Sequence, residues 1–494
     1  MTCLDAALTT LQYSTLLADT SSGGADWVTD IQVDASGTLS VCGITGSATF
    51  PATAGAFQAT FGGISDTFVA RIDPAGNGTA DLVWCSFLGG SSNEDLNGAI
   101  PGAAASFASP DLAVSATGAI TISGNTESTD FPTTTGAFNP GPIGGVRDTF
   151  VARFTPNGAA LDFATLLGGS VFDTALDVGL DSSGRAHVCG STESADFPTT
   201  PGSYQPTHAS PGIQDAWLAI LGVDGDALEY GTFLGGALRE GALCLDIDVN
   251  GLVTVAGFTS SDGYPVTPGA AQTTIGGGTD ALISRIDPTR AGAAQLRYST
   301  FLGGGAYEEL WSVDLSGGHV AALGGTTAST DLPGTTGTQG PANSGGLLDA
   351  LVAVVDLYAL GTPYCGPGVP NATGASGEIT AGGSVVASAN DLTLTASSLP
   401  NNSFGFFVTS RTQGFIANPG GSAGNLCLGG AIGRYVGPGQ IQNTGSAGQM
   451  SLVLDLAATP TPTGLVAVQA GETWNFTTWH RDSAGGMATS NFTN

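Results

Sequence analysis

Short stretches in which apolar and polar residues alternate recur along most of the chain, each ended by glycine, proline, asparagine or aspartate. In "IQVDASGTLSVCG", from Ile31, two alternating runs flank a glycine-containing turn, the pattern of a β-hairpin. The same pattern returns as "LAVSATGAITISG" (Leu112), "VGLDSSGRAHVCG" (Val178), "LDIDVNGLVTVAG" (Leu245) and "SVDLSGGHVAALG" (Ser312). No helical periodicity competes with it, so the chain reads as all-β.

Two more strand-like phrases accompany each hairpin. "YSTLLAD" (Tyr13), "WCSFLGG" (Trp84), "FATLLGG" (Phe163), "YGTFLGG" (Tyr230) and "YSTFLGG" (Tyr298) start 71, 79, 67 and 68 residues apart. "DTFVARIDP" (Asp66), "DTFVARFTP" (Asp148), "DAWLAILGV" (Asp215), "DALISRIDP" (Asp280) and "DALVAVVDL" (Asp349) close each unit. In the first of these, alternation puts Phe68 and Ala70 on one face and Val69 and Arg71 on the other, so both faces carry an apolar share.

Five tandem units of four strands predict a β-propeller of five four-stranded blades over residues 11–361, after a lead-in of residues 1–10. No "DTFVA"-type strand precedes the first "YST" strand, whereas the last unit ends on one. Pairing Leu11–Leu17 with Asp349–Leu357 would therefore close the ring with strands from both ends of the chain and cover the open edge. A solenoid of stacked sheets is the alternative, although it would expose its terminal edges.

Between hairpin and closing strand lies a Thr-, Ser- and Pro-rich segment of nearly constant wording: "TESTDFPTT" (Thr126), "STESADFPTT" (Ser191), "TASTDLPGTTG" (Thr327), with "TSSDGYPVTPG" in the fourth unit. Asp130, Asp196, Asp262 and Asp331 are its short acids. They suit a repeated turn in which a carboxylate accepts backbone N–H groups, and alternatively a rim of equivalent loops that binds a ligand or cation. The aspartates opening the closing strands, Asp66, Asp148, Asp215, Asp280 and Asp349, read as acceptors for loop amides, and the glycines after "FL" as tight bends. Taken together, the ordered phrases "YSTFLGG", "VDASG…VCG", "TDFPTT" and "DTFVARIDP" resemble the bacterial SBBP β-propeller repeat family of secreted or surface-associated proteins. The resemblance implies a propeller without an assigned activity. The family name refers to seven blades, against five copies here.

From "GTPYCGPGVPNATG" the repeat stops, and alternating stretches such as "FGFFVTS", "MSLVLDL" and "ETWNFTTWHRD" predict a small β-sandwich over residues 362–494. Its wording resembles a C-terminal β domain of secreted bacterial proteins. Cys365 and Cys427 are its only cysteines, a candidate disulfide if the protein is exported and two buried thiols otherwise. Trp474 and Phe476 alternate onto one face with Trp479 on the other; core packing and a platform for sugar rings are both open.

Composition narrows the function classes. The net charge of −30, with eleven arginines and no lysine, repels phosphate backbones and anionic lipid, which disfavours nucleic acid and membrane surfaces as partners. Seven cysteines without a CxxC or Cys/His cluster argue against zinc, and no apolar run approaches the length of a transmembrane helix. The start lacks the basic and apolar regions of a signal peptide. "GGSAG" (Gly420) matches a hydrolase elbow but lacks the strand and helix around it, and "DIDVNG" (Asp246) matches half a calcium loop whose twelfth position is Gly257. No catalytic residue, cofactor or metal ligand is assigned, and calcium remains a candidate ion only. The expectation is a secreted or cell-surface, non-catalytic binding or structural module for polysaccharide or surface components. The alternative is a polysaccharide-active enzyme using carboxylates at the propeller's central face.

Overall fold

The computed structural model describes residues 2–4, 9, 11–18, 26–95, 110–267, 270–316, 320–333, 347–357, 365, 368–382, 390, 392–469, 471–484 and 487–493. Contacts divide the chain into two compact units, Met1–Val266 with Gln272–Leu357, and Thr267–Ala271 with Tyr358–Asn494. The boundary expected at residue 361 lies outside the described residues.

The first unit is a propeller-like series of antiparallel sheets whose strands pair in chain order. The first sheet runs Asp26–Val33, Leu39–Thr45, Asp66–Ile72 and Leu82–Leu88; the second Asp111–Val114, Ile120–Thr126, Asp148–Phe154 and Leu161–Leu167. The third runs Asp173–Leu180, Ala186–Thr192, Asp215–Leu221 and Leu228–Leu234; the fourth Glu240–Ile247, Val253–Thr259, Asp280–Ile286 and Leu296–Leu302. The fifth has three strands, Glu308–Ser316, Val320–Thr327 and Asp349–Asp356.

Stacking explains the near-continuous apolar reading of the middle strands. Leu39–Thr45, Ile120–Thr126, Ala186–Thr192 and Val253–Thr259 are buried at every position, because each of their faces is covered. One core joins Cys42, Val69, Trp84 and Leu88 of the first sheet to Leu112, Ile122, Phe150 and Phe154 of the second. Equivalent cores fill the following junctions.

The innermost strands of the first, third, fourth and fifth sheets carry a bulge, with register shifts at Val28/Asp30, Ala175/Asp177, Ala242/Cys244 and Leu310/Ser312. The extra residues Leu176, Leu243 and Trp311 pack together with Phe258. Opposite each bulge stands the glycine ending the hairpin phrase or, on the fifth sheet, the glycine one place beyond it. A Cβ there would lie 1.9 Å from Trp27 O at Gly43, 1.9 Å from Thr174 O at Gly190, 2.0 Å from Gly241 O at Gly257 and 2.0 Å from Glu309 O at Gly325. The bulge pushes a carbonyl into the side-chain position, and only glycine fits.

The pairing expected to close the ring is not seen among the described residues. Leu11–Ser14 pairs with Thr2–Leu4, and among the described residues the fifth sheet has three strands. Val352 is 83 % exposed, whereas its equivalents Val69, Val151, Leu218 and Ile283 are fully buried. On the first sheet, Ile31 is 43 % exposed where its equivalent Leu112 is buried. The N-terminal segment nonetheless packs on the first sheet, with Tyr13 and Leu17 against the Val41, Phe68 and Phe87 core.

The second unit is also all-β. Glu378–Gly382, Thr393–Ser397 and Met450–Val453 form one sheet; Gly433–Arg434, Phe404–Ser410, Asn475–Ala484 and Met487–Phe492, with Gln442–Asn443 beside Phe404–Ser410, form another. Leu394, Ala396 and Met450 of the first share a core with Phe407 and Phe476 of the second.

Candidate functional site

An innermost strand pairs on one side only, so the backbone groups along its other edge need partners. Here the partners are acidic side chains. Asp30, Asp111 and Asp177 occupy equivalent places, paired with Cys42, Ser123 and Cys189. Two residues further on, and so on the same face, stand Gln32, Ala113, Gly179, Asp246 and Asp314. Asp30, Asp111, Asp177, Asp246 and Asp314 all line one cavity of about 410 Å³.

Four of these carboxylates bridge consecutive sheets. The backbone N–H of Leu112 donates to Asp30 Oδ2 (3.4 Å), that of Val178 to Asp111 Oδ2 (3.1 Å), that of Leu245 to Asp177 Oδ2 (2.7 Å) and that of Leu315 to Asp246 Oδ2 (2.7 Å). The Gln32 amide serves both backbone groups, donating to Leu112 O (2.9 Å) and accepting from Val114 N (3.0 Å). Burial raises the pKa of Asp30, and raises Asp111 further with help from the neighbouring charges of Asp177 and Asp30. Burial also pushes Asp177 up to about 6, and the three are linked by side-chain hydrogen bonds through Asp111. Burial and like charge thus favour the protonated form of these three carboxyls, of Asp111 above all, and a protonated carboxyl can donate as well as accept.

The loop aspartates take turn-fixing places. Connections after the second and fourth strands of an antiparallel sheet lie at the same end, and the loop acids join them. Asp130 Oδ1 accepts from Ser91 N (2.8 Å) and Oγ (3.0 Å), Asp196 Oδ1 from Ser170 N (2.9 Å) and Oγ (2.9 Å), and Asp331 Oδ1 from Gly305 N (2.7 Å). Asp262 is exposed. None of the four lines the cavity. The half calcium loop is a hairpin turn, where Asp248 Oδ1 accepts from Asn250 N (2.8 Å) and Leu252 N (2.9 Å).

The aspartates opening the third strands collect loop amides: Gly62 N to Asp66 (2.8 Å), Gly144 N to Asp148 (2.9 Å), Ala209 N to Asp215 (2.7 Å) and Gly276 N to Asp280 (2.8 Å). This changes the reading of the "FLGG" glycines. Gly89, Gly168, Gly235 and Gly303 are not among the positive-φ glycines, so they are not there for a bend. A Cβ on them would lie 2.6 Å from Asp66 Oδ1 and 2.6, 2.2 and 2.3 Å from the carboxyl carbons of Asp148, Asp215 and Asp280. They are glycine because a buried carboxylate occupies the space.

Of these residues the sequence reading marked only Asp246, as the start of a half calcium loop; Asp30, Asp111 and Asp177 stand one place before the quoted phrases, and Asp314 lies unmarked inside its own. The available signal was an acid at one of two places, two residues apart, on the first strand of every hairpin. In the second unit Cys365 and Cys427 are bonded, with Cα atoms 5.7 Å apart. Trp479 stacks on Phe406 at 5.1 Å, Phe476 enters the core, and the Arg411 guanidinium covers the Trp474 ring at 4.7 Å. All three aromatic side chains are engaged within the protein. Cys42, Cys85, Cys189 and Cys244 are buried free thiols. Among the described residues no group of three or more acidic, histidine or cysteine side chains is arranged to hold a metal, and no helix is long and apolar enough to cross a membrane.

Fold and cavity define an all-β protein with a propeller-like series of repeated sheets. No protein-family model matches the chain, and no curated protein matches it. Among solved structures it is similar to a mannose phosphorylase from Leishmania mexicana in complex with phosphate, at 11 % identity and TM-score 0.27 over 62 % of this chain and 80 % of that one. A GH43_12 protein retrieved from capybara gut metagenome aligns at 9 % identity and TM-score 0.27 over 98 % of this chain and 88 % of that one. An acylaminoacyl peptidase bound to a chloromethyl ketone aligns at 7 % identity and TM-score 0.27 over 85 % and 52 %.

Proposed function

We propose that the repeat unit is a five-bladed propeller acting as a rigid, non-catalytic binding module of a secreted or cell-surface protein, with a hydroxyl-rich ligand such as a polysaccharide chain in its central cavity. The observation that carries this reading is the row of cavity aspartates. Five carboxyls offer acceptors to sugar hydroxyls, burial and like charge favour a proton, and so a donor, at Asp111, and four of the five are anchored by the next sheet's backbone N–H. The second unit, with its shared two-sheet core, is proposed as a small β-sandwich. The repeat wording, similar to SBBP-type repeats, agrees with a surface setting.

Closure of the ring belongs to this proposal, with Leu11–Leu17 completing the fifth blade. Tyr13 and Leu17 pack on the first sheet, as their equivalents Trp84 and Leu88 pack on the second. Tyr13 Oη donates to Asp81 Oδ2 (3.2 Å) at the hairpin between the first sheet's third and fourth strands, and Trp84 Nε1 donates to Pro156 O (3.1 Å) at the same place in the second. Closure would set Val352 between sheets. Val352→Arg is therefore expected to cost ~3 kcal/mol in urea unfolding; a variant as stable as the parent would mean that this face stays in water.

The ligand test is a polysaccharide array, with and without calcium, that also scans for released fragments. Specific retention without fragments, weakened roughly tenfold by Asp314→Asn with Asp246→Asn, is the expected result. A second reading, polysaccharide cleavage, draws on the contact between Asp111 and Asp177, since adjacent carboxyls of unequal acidity can divide acid and base roles. Fragments abolished by Asp177→Asn would select it. Silence on every spot would overturn both readings.

A further inference from the structure

Outside the cavity, each junction between consecutive sheets buries two acids from different sheets. Asp66, Asp148 and Asp215 open third strands, and Glu94, Asp173 and Glu240 stand at the start of the following sheet; all six are at most 1 % exposed. Asp280 and Glu308 take the same places at the fourth junction. The second member of each pair accepts a threonine hydroxyl of its own sheet: Thr126 to Glu94 (2.8 Å), Thr192 to Asp173, Thr259 to Glu240 (2.7 Å).

Asp173 Oδ2 also accepts from Gly169 N (2.7 Å) and Ser194 Oγ (3.0 Å), and Glu240 Oε2 from Gly236 N (2.7 Å), so at the second and third junctions only the third-strand acid keeps an oxygen without a donor. Asp66 Oδ1, Glu94 Oε2, Asp148 Oδ1 and Asp215 Oδ1 are buried without a hydrogen-bond partner. Asp66 Oδ1 and Glu94 Oε2 both lie 2.6 Å from the one point where a Gly89 Cβ would sit, so they are at most twice that distance apart. Two buried acceptors facing each other repel as carboxylates; one proton turns the contact into a donor and an acceptor.

We propose that the first junction is clasped by a carboxyl pair sharing one proton, and the second and third likewise by equivalence of position, which makes the sheet series a proton-dependent clamp. The groups facing the pairs do not supply a compensating arginine. They are Asp130 at the glycine after Gly89, Asp95 next to Glu94, Asp196 beside Asp148, Tyr264 near the third pair, and His208, whose Nδ1 is 3.3 Å from Asp215 Oδ2. The neutral Gln58 amide donates to Asp66 Oδ2 at 3.2 Å. Burial, reinforced by the facing acid, pushes Glu94 and Glu240 up to about 7 and Asp173 to about 6, while burial alone takes Asp66 and Asp215 to about 6. Carboxyls raised in the folded state contribute their stability below the unfolded values near 4 and lose it as pH climbs through the folded values.

The test uses the full chain and the triple variant Glu94→Gln, Asp148→Asn, Asp215→Asn, in which an amide N–H replaces the shared proton. The wild type should melt highest near about pH 5 and fall by ~5 °C or more toward about pH 8. The variant should show a shallower fall and melt above the wild type at about pH 8. Equal slopes would overturn the proposal, as would a calcium-dependent rise at high pH in the wild type alone, which would mean that the pairs hold a cation. Infrared absorption of protonated carboxyls in the folded wild type at about pH 5.5, weaker in the single variant Glu94→Gln, reads the protons directly. Its absence from the wild type would also overturn the clamp, whether or not the triple variant folds.

Discussion

Gly257→Ala is expected to cost ~3 kcal/mol or more and to leave little folded protein, although it adds a single methyl group. That carbon would sit 2.0 Å from Gly241 O and 2.9 Å from Leu243 N, both backbone atoms of the bulged innermost strand. Relief requires flattening the bulge, which would also move Leu243 out of its cluster with Leu176 and Trp311. Six residues earlier, Gly251 has φ +80° and nothing within 4 Å of its would-be Cβ. Gly251→Ala should cost only the left-handed backbone penalty, ~1 kcal/mol. Urea unfolding of the two variants side by side checks the claim. If Gly251→Ala proved the worse, the bulge would not be what demands glycine.

Acidification should weaken the second unit while the first is at its most stable. His480 is fully buried, and neither ring nitrogen has a partner. Burial pushes its pKa down to about 4. A depressed histidine contributes stability above its unfolded value near 6.5, and that contribution drains as pH falls toward the folded value. The shift corresponds to about 3 kcal/mol lost from this unit between those limits. His480→Leu, similar in volume and without orphaned nitrogens, should match or exceed the wild type at neutral pH and stay level on acidification. Thermal unfolding followed at pH values across the window measures this. A wild-type second unit whose melting ignores that window would show that the imidazole finds a proton partner in solution.

The acids of the first unit titrate in the opposite direction because their surroundings penalise negative charge. One chain thus carries two opposed pH responses, and the order in which the units melt should invert between mildly acidic and mildly alkaline solution.

Much of the strand framework was legible because a hairpin is a local object. Alternation around "DASG" or "DVNG" places two strands without reference to anything distant, and repetition at nearly constant spacing establishes that the same sheet is built again. The acids in third-strand openings were likewise readable as acceptors for loop amides, since those amides lie within a few residues. The role of "FLGG" was not. Bends and close approach both call for glycine, and the crowding atom at Gly235 is Asp215, twenty residues away and on the neighbouring strand.

The sequence by itself determined the all-β class, the repeated order of strands and the change of composition that separates the two units, all consequences of periodicity and turn chemistry acting over a few residues. Only the tertiary structure decided which acids share a cavity, which face each other across a junction and which glycines stand against a carbonyl. Asp30 and Asp111 are eighty-one positions apart, and Asp66 meets Glu94 across two sheets. Whether such carboxyls are solvated ions or buried, proton-holding partners depends on what the next sheet covers, and no local pattern carries that information.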